Sequence, residues 1–318
     1  MDNTLREMAI TLSHGNQRAV VSPYGAALRR YYLIEADGSE TDIVWGYGSP
    51  DDKKGGQGDV LIPFPSRIRG GRYEFEGKTY QLPLNDKAGG NAIHGFLREV
   101  KWDFTRENDM EVFFHARIRA DEYADKGYPF SLDVTVNYDL METGLTVDFE
   151  IQNVGDSAAP VGVGFHPYFV VGTETVDGVE AQIPARKYLE FEKTLVPTGN
   201  LLPVEGSDLD FRGLRQIGDT VIDNCFTDLI RNEQGLASAT LHHPETGRLV
   251  RVWADSNFPY LVVFTGDTIP APHNRRALAI EPQTCATDAF NRPDWGLKVL
   301  QPGERFEGEW GVYCQNCT

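Results

Sequence analysis

Between residues 110 and 153 three segments alternate apolar and polar side chains almost residue by residue. In SLDVTVNYDL, Leu132, Val134, Val136 and Tyr138 fall on one side; in TGLTVDFEIQN, Leu145, Val147, Phe149 and Ile151 do the same. A period of two marks a strand with one buried face. Met141-Glu142-Thr143-Gly144 makes the turn between these two runs, and MEVFFHARIRA precedes them as a third strand, with His115 on a sheet face. Shorter runs of the same kind open the chain (MAITLS, QRAVVS, LRRYYLIE) and recur beyond residue 180 as EAQIPA, KYLEF, VIDNCFTDLI, ATLHH, RLVRVWA and YLVVFTG. RYEFEGKTYQL reads as a hairpin turning at Glu76-Gly77, while Pro63 and Pro65 exclude a central strand around Phe64. The tail LKVLQPGERFEGEWGVYC predicts two strands around Pro302-Gly303. No long amphipathic helix, repeat or low-complexity linker interrupts the series. Many short strands with Gly and Pro turns predict an all-β sandwich or barrel, and no break in composition divides residues 1–318 into more than one domain.

At 318 residues the chain is long enough to bury roughly three quarters of its unfolded surface, so its core needs no disulfide or metal. Thirty basic against 47 acidic residues leave a net charge of −17, which repels nucleic acid and anionic membrane and leaves a small neutral partner open. The first residues, MDNTLREMAITLSHG, carry charges where a signal peptide needs an apolar run, and no segment approaches a membrane span. A soluble, cytoplasmic protein is expected. The Gly-rich stretch at 46–58 lacks the Gly-Lys-Ser/Thr of a phosphate loop and reads as a mobile loop. Cys225 and Cys285 show no ligand spacing. Cys314 and Cys317 form a C-x-x-C, but it follows a strand rather than opening a helix, and it is read as a pair of tail cysteines.

Candidate chemistry concentrates in GVGFHPYF, residues 162–169. On an extended strand Val161, Val163 and Phe165 point one way, and Gly162, Gly164 and His166 the other. His166 is then either a core histidine satisfied by backbone or a residue overlooking a floor cleared by two glycines, with room for a ligand. Arg67 follows the proline-stiffened PFPS: it is either a salt-bridged structural residue or a planar fork of donors for sugar oxygens or a carboxylate. His94, beside Gly95, is either a loop histidine bonded to backbone or a pocket residue. Asp223 enters the apolar strand VIDNCF, and Glu281 stands at the end of a short apolar strand ahead of Pro282, where a carboxylate facing a cleft suits a general base. His14 and His273 fall in loop-like settings; the adjacent His242 and His243 face opposite ways on a strand and are surface residues.

Taken in order, PFPSRIRGGRYEFEGKTYQL, NAIHGF, GVGFHPYF, VIDNCF, the EPQTCATDAF segment and VLQPGERF resemble the aldose 1-epimerase (galactose mutarotase) family from about residue 20 to 313. The resemblance implies a large, mostly antiparallel β-sandwich with very little helix, an open sugar cleft, and no metal or organic cofactor. It implies Glu281 as general base, His166 as general acid, and Arg67, His94 and Asp223 as residues that hold the sugar. Interconverting anomers needs the C1 hydroxyl proton removed and one delivered to the ring oxygen, so a carboxylate and an imidazolium on opposite sides of the C1–O5 bond suffice.

Three positions depart from the family pattern: Ser66 where Asn is common before the Arg, Phe96 where a second Gly is frequent, and Asn224 where His follows the Asp. These bear on sugar preference, not on reaction class. Competing readings are a non-catalytic carbohydrate-binding protein, a metalloenzyme using His94, His166 and Glu281, and an epimerase of a phosphorylated or unusual sugar. The last would need basic residues beside the cleft, for which the pairs Arg29-Arg30 and Arg275-Arg276 are candidates.

Overall fold

The period-two segments pair as their patterns require. In a computed structural model that describes residues 8–315, the strands Glu111–Ile118, Leu132–Met141 and Gly144–Asn153 form an antiparallel meander in the register Val134↔Ile151 and Val136↔Phe149. Each apolar set therefore meets its neighbour's on one face. The meander belongs to a nine-stranded sheet that continues through the C-terminal strand Arg305–Gln315 to Leu249–Ala254 and Ala237–His242.

The second sheet has twelve strands. Its middle runs Glu40–Val44, Tyr168–Phe169, Leu278–Gln283, Tyr260–Phe264, Asp223–Leu229, with Val60–Leu61 and Gly164–Phe165 attached beside that path. The two sheets stack as a sandwich. Phe149 and Trp310 of the first meet Phe165 of the second at ring-centroid distances of 6.3 and 5.4 Å. Burying each such ring contributes about 1.5–3 kcal/mol, and the core they share takes in Val136, Val263 and Ile280. The only α-helix among the described residues is Ala120–Tyr123, and no helix there is long and apolar enough to cross a membrane.

The hairpin Arg72–Phe75/Lys78–Gln81 turns at Glu76-Gly77, both with positive φ (49° and 72°), as a two-residue turn between twisted strands demands. Some expectations need correction. His14 closes the first strand, Ile10–His14, rather than lying in a loop. Glu281 does not end its strand: Pro282 is followed by Gln283, still paired with Tyr260. Cys314 pairs with Val250 in the last strand; Cys317 lies outside the described residues.

What matters for function is how alternation divides the twelve-stranded sheet. Leu278 and Ile280 point into the core between the sheets with Leu261, Val263 and Phe226. Ala279, Glu281 and Gln283 point to the opposite, outer face. The register Glu281↔Val262, Ala279↔Tyr168 and Asp223↔Phe264 brings Val262, Phe264, Tyr168 and Asp223 to that same face. The candidate site is built there.

Candidate active site

A cavity of about 510 Å³ opens on this outer face, and Arg67, His94, His166, Asp223 and Glu281 all line it. Its volume is that of a small-molecule site. Segments from residue 55 to residue 281 contribute, so the site exists only in the folded sheet.

Glu281 is 3% exposed and His166 5%. His166 Nε2 lies 3.3 Å from Glu281 Oε1, so the two are in direct contact rather than separated by a ligand-sized gap. The second carboxylate oxygen accepts a hydrogen bond from Gln283 Nε2 at 3.0 Å, and the same amide donates to Ser66 Oγ at 3.1 Å. The imidazole stacks on the Tyr168 ring (5.1 Å, 15° between planes), whose hydroxyl donates to Gly55 O.

Burial dominates the electrostatics. It pushes His166 down to about 3, with Arg98, Lys53 and Arg67 acting in the same direction. It pushes Glu281 well above the usual carboxylate range, Asp223 adding to that shift while Gln283 and Arg67 oppose it. A charge removed from water is costly unless paired, so the favoured state of the pair is neutral, with one proton held by Glu281. Asp223 is likewise raised by burial.

His94 has φ +63° and Ser66 φ +52°, left-handed values that cost a non-glycine residue about 1–3 kcal/mol. The two hold each other there: His94 N–H donates to Ser66 O at 3.0 Å, and Ser66 N–H to His94 Nδ1 at 3.2 Å. Burial lowers His94 well below its ordinary value. The ring is thus neutral, with Nδ1 as acceptor and Nε2 left as the N–H donor. Arg67 is both things its sequence context offered. Its Nε is bonded to Asp86 Oδ2 at 2.9 Å, and it still lines the cavity.

The floor differs from expectation. His166 does share a face with Gly162 and Gly164, but the space above these glycines is taken. A β-carbon at Gly162 would collide with Cys285 Sγ, and one at Gly164 would come within 2.7 Å of Pro65 Cβ. The glycines beside the cavity are Gly55 and Gly56, in the segment read as a mobile loop. That segment is tied down where it meets His166: Gly58 N–H donates to His166 O at 2.9 Å.

Neither arginine pair serves the site. Arg30 binds Glu40 and Asp42, Arg29 binds Tyr47 O, Arg275 binds Asp177 and Asp267, and Arg276 binds Thr173 O and Glu174 O. Among the described residues no group of three or more His, Cys, Asp or Glu is arranged to hold a metal ion.

The sequence model of the family described as aldose 1-epimerase matches residues 8–312. The chain belongs to the aldose 1-epimerase family. It is 35% identical over 259 residues to the uncharacterized protein YihR of Escherichia coli K12, covering 81% of this chain and 79% of that one. It is 27% identical over 307 residues to the galactose mutarotase of Rattus norvegicus, covering 89% and 86%. An aldose epimerase homologue from C. elegans has the same fold, with a TM-score of 0.85 at 21% identity over 97% of this chain and 98% of that one. Aldose 1-epimerases are isomerases, and this chain is an enzyme of that type.

Within this aldose 1-epimerase, reading the sequence for site residues missed Asp86, Gln283 and Tyr168. Two of them carried a signal. Gln283 is two residues past Glu281 and Tyr168 two past His166, a spacing that suggests a shared strand face. Asp86 carried none; only folding brings it to Arg67.

Proposed function

We propose that this enzyme interconverts the α and β anomers of a free hexose, with glucose and galactose as the first substrates to try. Glu281 acts as base, His166 as acid, and Arg67, His94 and Asp223 hold the sugar. The observation that carries the reading is the 3.3 Å Glu281–His166 contact on the wall of a sugar-sized cavity. The two oxygens that must exchange protons, O1 and O5, sit on the same carbon. An acid and base in contact can address both at once.

Glu281 takes the proton from the C1 hydroxyl as the C1–O5 bond breaks. The bonding pair goes to O5, which receives the proton of His166, and C1=O1 forms. Rotation about C1–C2 presents the other carbonyl face, and both transfers reverse. Ring opening leaves Glu281 protonated and His166 neutral, which is the arrangement that burial favours. The reactive arrangement, with the proton on His166, has the same composition and is reached by moving one proton across the contact. In it Arg67 stabilises the Glu281 carboxylate while opposing the charge on His166. Such acid and base steps contribute about 10²–10⁴-fold each. His94 Nε2–H and the Asp223 carboxyl supply a donor and an acceptor for hydroxyls.

Polarimetry on freshly dissolved α-D-glucose and α-D-galactose, with chelator present, tests the reading. The wild type should accelerate the change in rotation over buffer, and Glu281→Gln should lower kcat by at least about 10²-fold while folding normally. Near-normal activity in Glu281→Gln, or a wild type inert toward every free hexose, would sink it.

A further inference from the structure

Behind His166 lies a charge cluster that the reaction as written does not use. Asp59 is 2% exposed; one of its carboxylate oxygens binds Lys53 Nζ and the other Arg98 Nη1 at 3.3 Å. The same residue grips the catalytic histidine through its backbone. His166 N–H donates to Asp59 O at 3.0 Å, and Val60, the next residue, pairs with Phe165, the residue before His166. Asp59 N–H in turn donates to Gly56 O at 3.0 Å. Gly56 separates the Asp59 carboxylate from the imidazole. A β-carbon there would sit 3.1 Å from His166 Cδ2 and 3.5 Å from both His166 Nε2 and Asp59 Oδ2. Without a side chain at residue 56 the carboxylate and the ring approach closely, with only backbone between them.

The cluster also walls off a second cavity of about 360 Å³, with Lys53, Asp59, Arg98 and Gly56 on its lining; Arg98 and Gly56 border both cavities. A buried carboxylate clasped by two cations is expensive to assemble. Its position against His166 gives it a use.

We propose that Asp59, held by Lys53 and Arg98, is a positioning residue for His166: it fixes the backbone on which the imidazole is mounted and offsets the two cations beside the ring. The inference rests on the acid role of His166. The groups that face the imidazole are Glu281 from the Leu278–Gln283 strand, Tyr168 beside it, His94 across the cavity, and the cations Arg67, Arg98 and Lys53. Asp59 is the anion paired with two of those cations, Lys53 and Arg98. Removing it leaves Lys53 without this partner and Arg98 with only the exposed Glu99, so the proton shared by His166 and Glu281 is lost at lower pH; removing Lys53 acts oppositely.

The test is the pH profile of kcat by polarimetry for Asp59→Asn and Lys53→Met, with His166→Asn as reference. Asp59→Asn should lower kcat about tenfold, less than the ~10²-fold that a full 1 Å displacement of a catalytic group costs, with KM within about twofold. Its alkaline limb should move to lower pH, and that of Lys53→Met to higher pH. A residue that only supports the fold would lower thermal stability without moving the two limbs in opposite directions. Wild-type limbs in both folded variants overturn the inference. If Asp59→Asn does not fold, Lys53→Met decides alone. Substantial activity in His166→Asn would instead overturn the acid assignment on which the inference stands.

Discussion

Arg67 could reach into the cavity in many rotamers, and Asp86 selects one by holding its Nε at 2.9 Å. Asp86 is itself fixed by Asn91 Nδ2 at 3.1 Å and by the backbone N–H of Gly89 at 3.2 Å. A charge-assisted bond of this kind is worth about 1.5–3 kcal/mol. Asp86→Ala is therefore expected to raise KM about tenfold, the equivalent of about 1.4 kcal/mol, with a smaller change in kcat, because Arg67 would lose its orientation toward ground-state hydroxyls. Initial rates over a range of sugar concentrations measure the split. An equal fall in kcat at constant KM would show that Arg67 acts in the transition state instead. The five candidates named from sequence drew notice because each stood out of place: a titrating ring among aromatics, an arginine after two prolines, a histidine beside glycine, acids in apolar strands. All five line one cavity. Asp86 and Asp59 were not legible. They stand in polar loop sequence, and only the contacts made by folding distinguish them from other surface acids.

The long alternating strands were read correctly, since a half-buried strand writes its burial into every second residue; Glu40–Val44, Asp103–Arg106 and Pro197–Pro203 were not read, and residues 162–169 hold two short strands, Gly164–Phe165 and Tyr168–Phe169, rather than one. Which strands would be neighbours was not readable. The pairing of Tyr168–Phe169 with Leu278–Gln283 joins segments more than a hundred residues apart, and no local pattern records such a partner. The same limit explains the misread floor at Gly162 and Gly164. Small residues on a strand face show that something approaches closely, not whether it is a ligand or another part of the chain. Here it is Cys285 and Pro65, so the glycines serve packing. Gly162→Ala should destabilise the fold by about 1–3 kcal/mol through overpacking, read as a lower denaturation midpoint. Placing Gly162→Ala on a Cys285→Ala background should recover part of that loss, because the sulfur that the new methyl would strike is gone. Denaturant melts of the four proteins give the coupling, expected at about 0.5–3 kcal/mol. A coupling of zero would mean that the methyl is accommodated elsewhere.

Across the whole molecule, acidification sets two terms against each other. The net charge of −17 shrinks as pH falls toward the pI of about 4.8, relieving self-repulsion and favouring the folded state. The buried His166–Glu281 pair works differently. His166 is held near 3 in the folded chain against about 6.5 when unfolded, so between those values the unfolded chain binds the extra proton. Its contribution is fully present above about pH 6.5 and is lost as pH falls toward 3. Glu281, raised well above the ordinary range, has the opposite sign: the folded chain binds the extra proton, and the contribution is lost as pH rises through the folded value. Between pH 8 and pH 5 the histidine term alone costs about 2 kcal/mol. Urea melts of wild type and His166→Asn at these two pH values isolate it, because the general charge term is common to both and cancels in the difference. The wild type should lose about 2 kcal/mol more than the variant on going to pH 5. Glu281→Gln should in turn lose less stability than wild type on the alkaline side. Parallel curves for wild type and His166→Asn would mean that the imidazole titrates alike in the folded and unfolded chains, whereas a wild type that gains stability relative to the variant on going to pH 5 would mean that the imidazole is protonated in the folded state. Burial would then not favour the neutral pair, and the proton would already rest on the acid before the sugar binds.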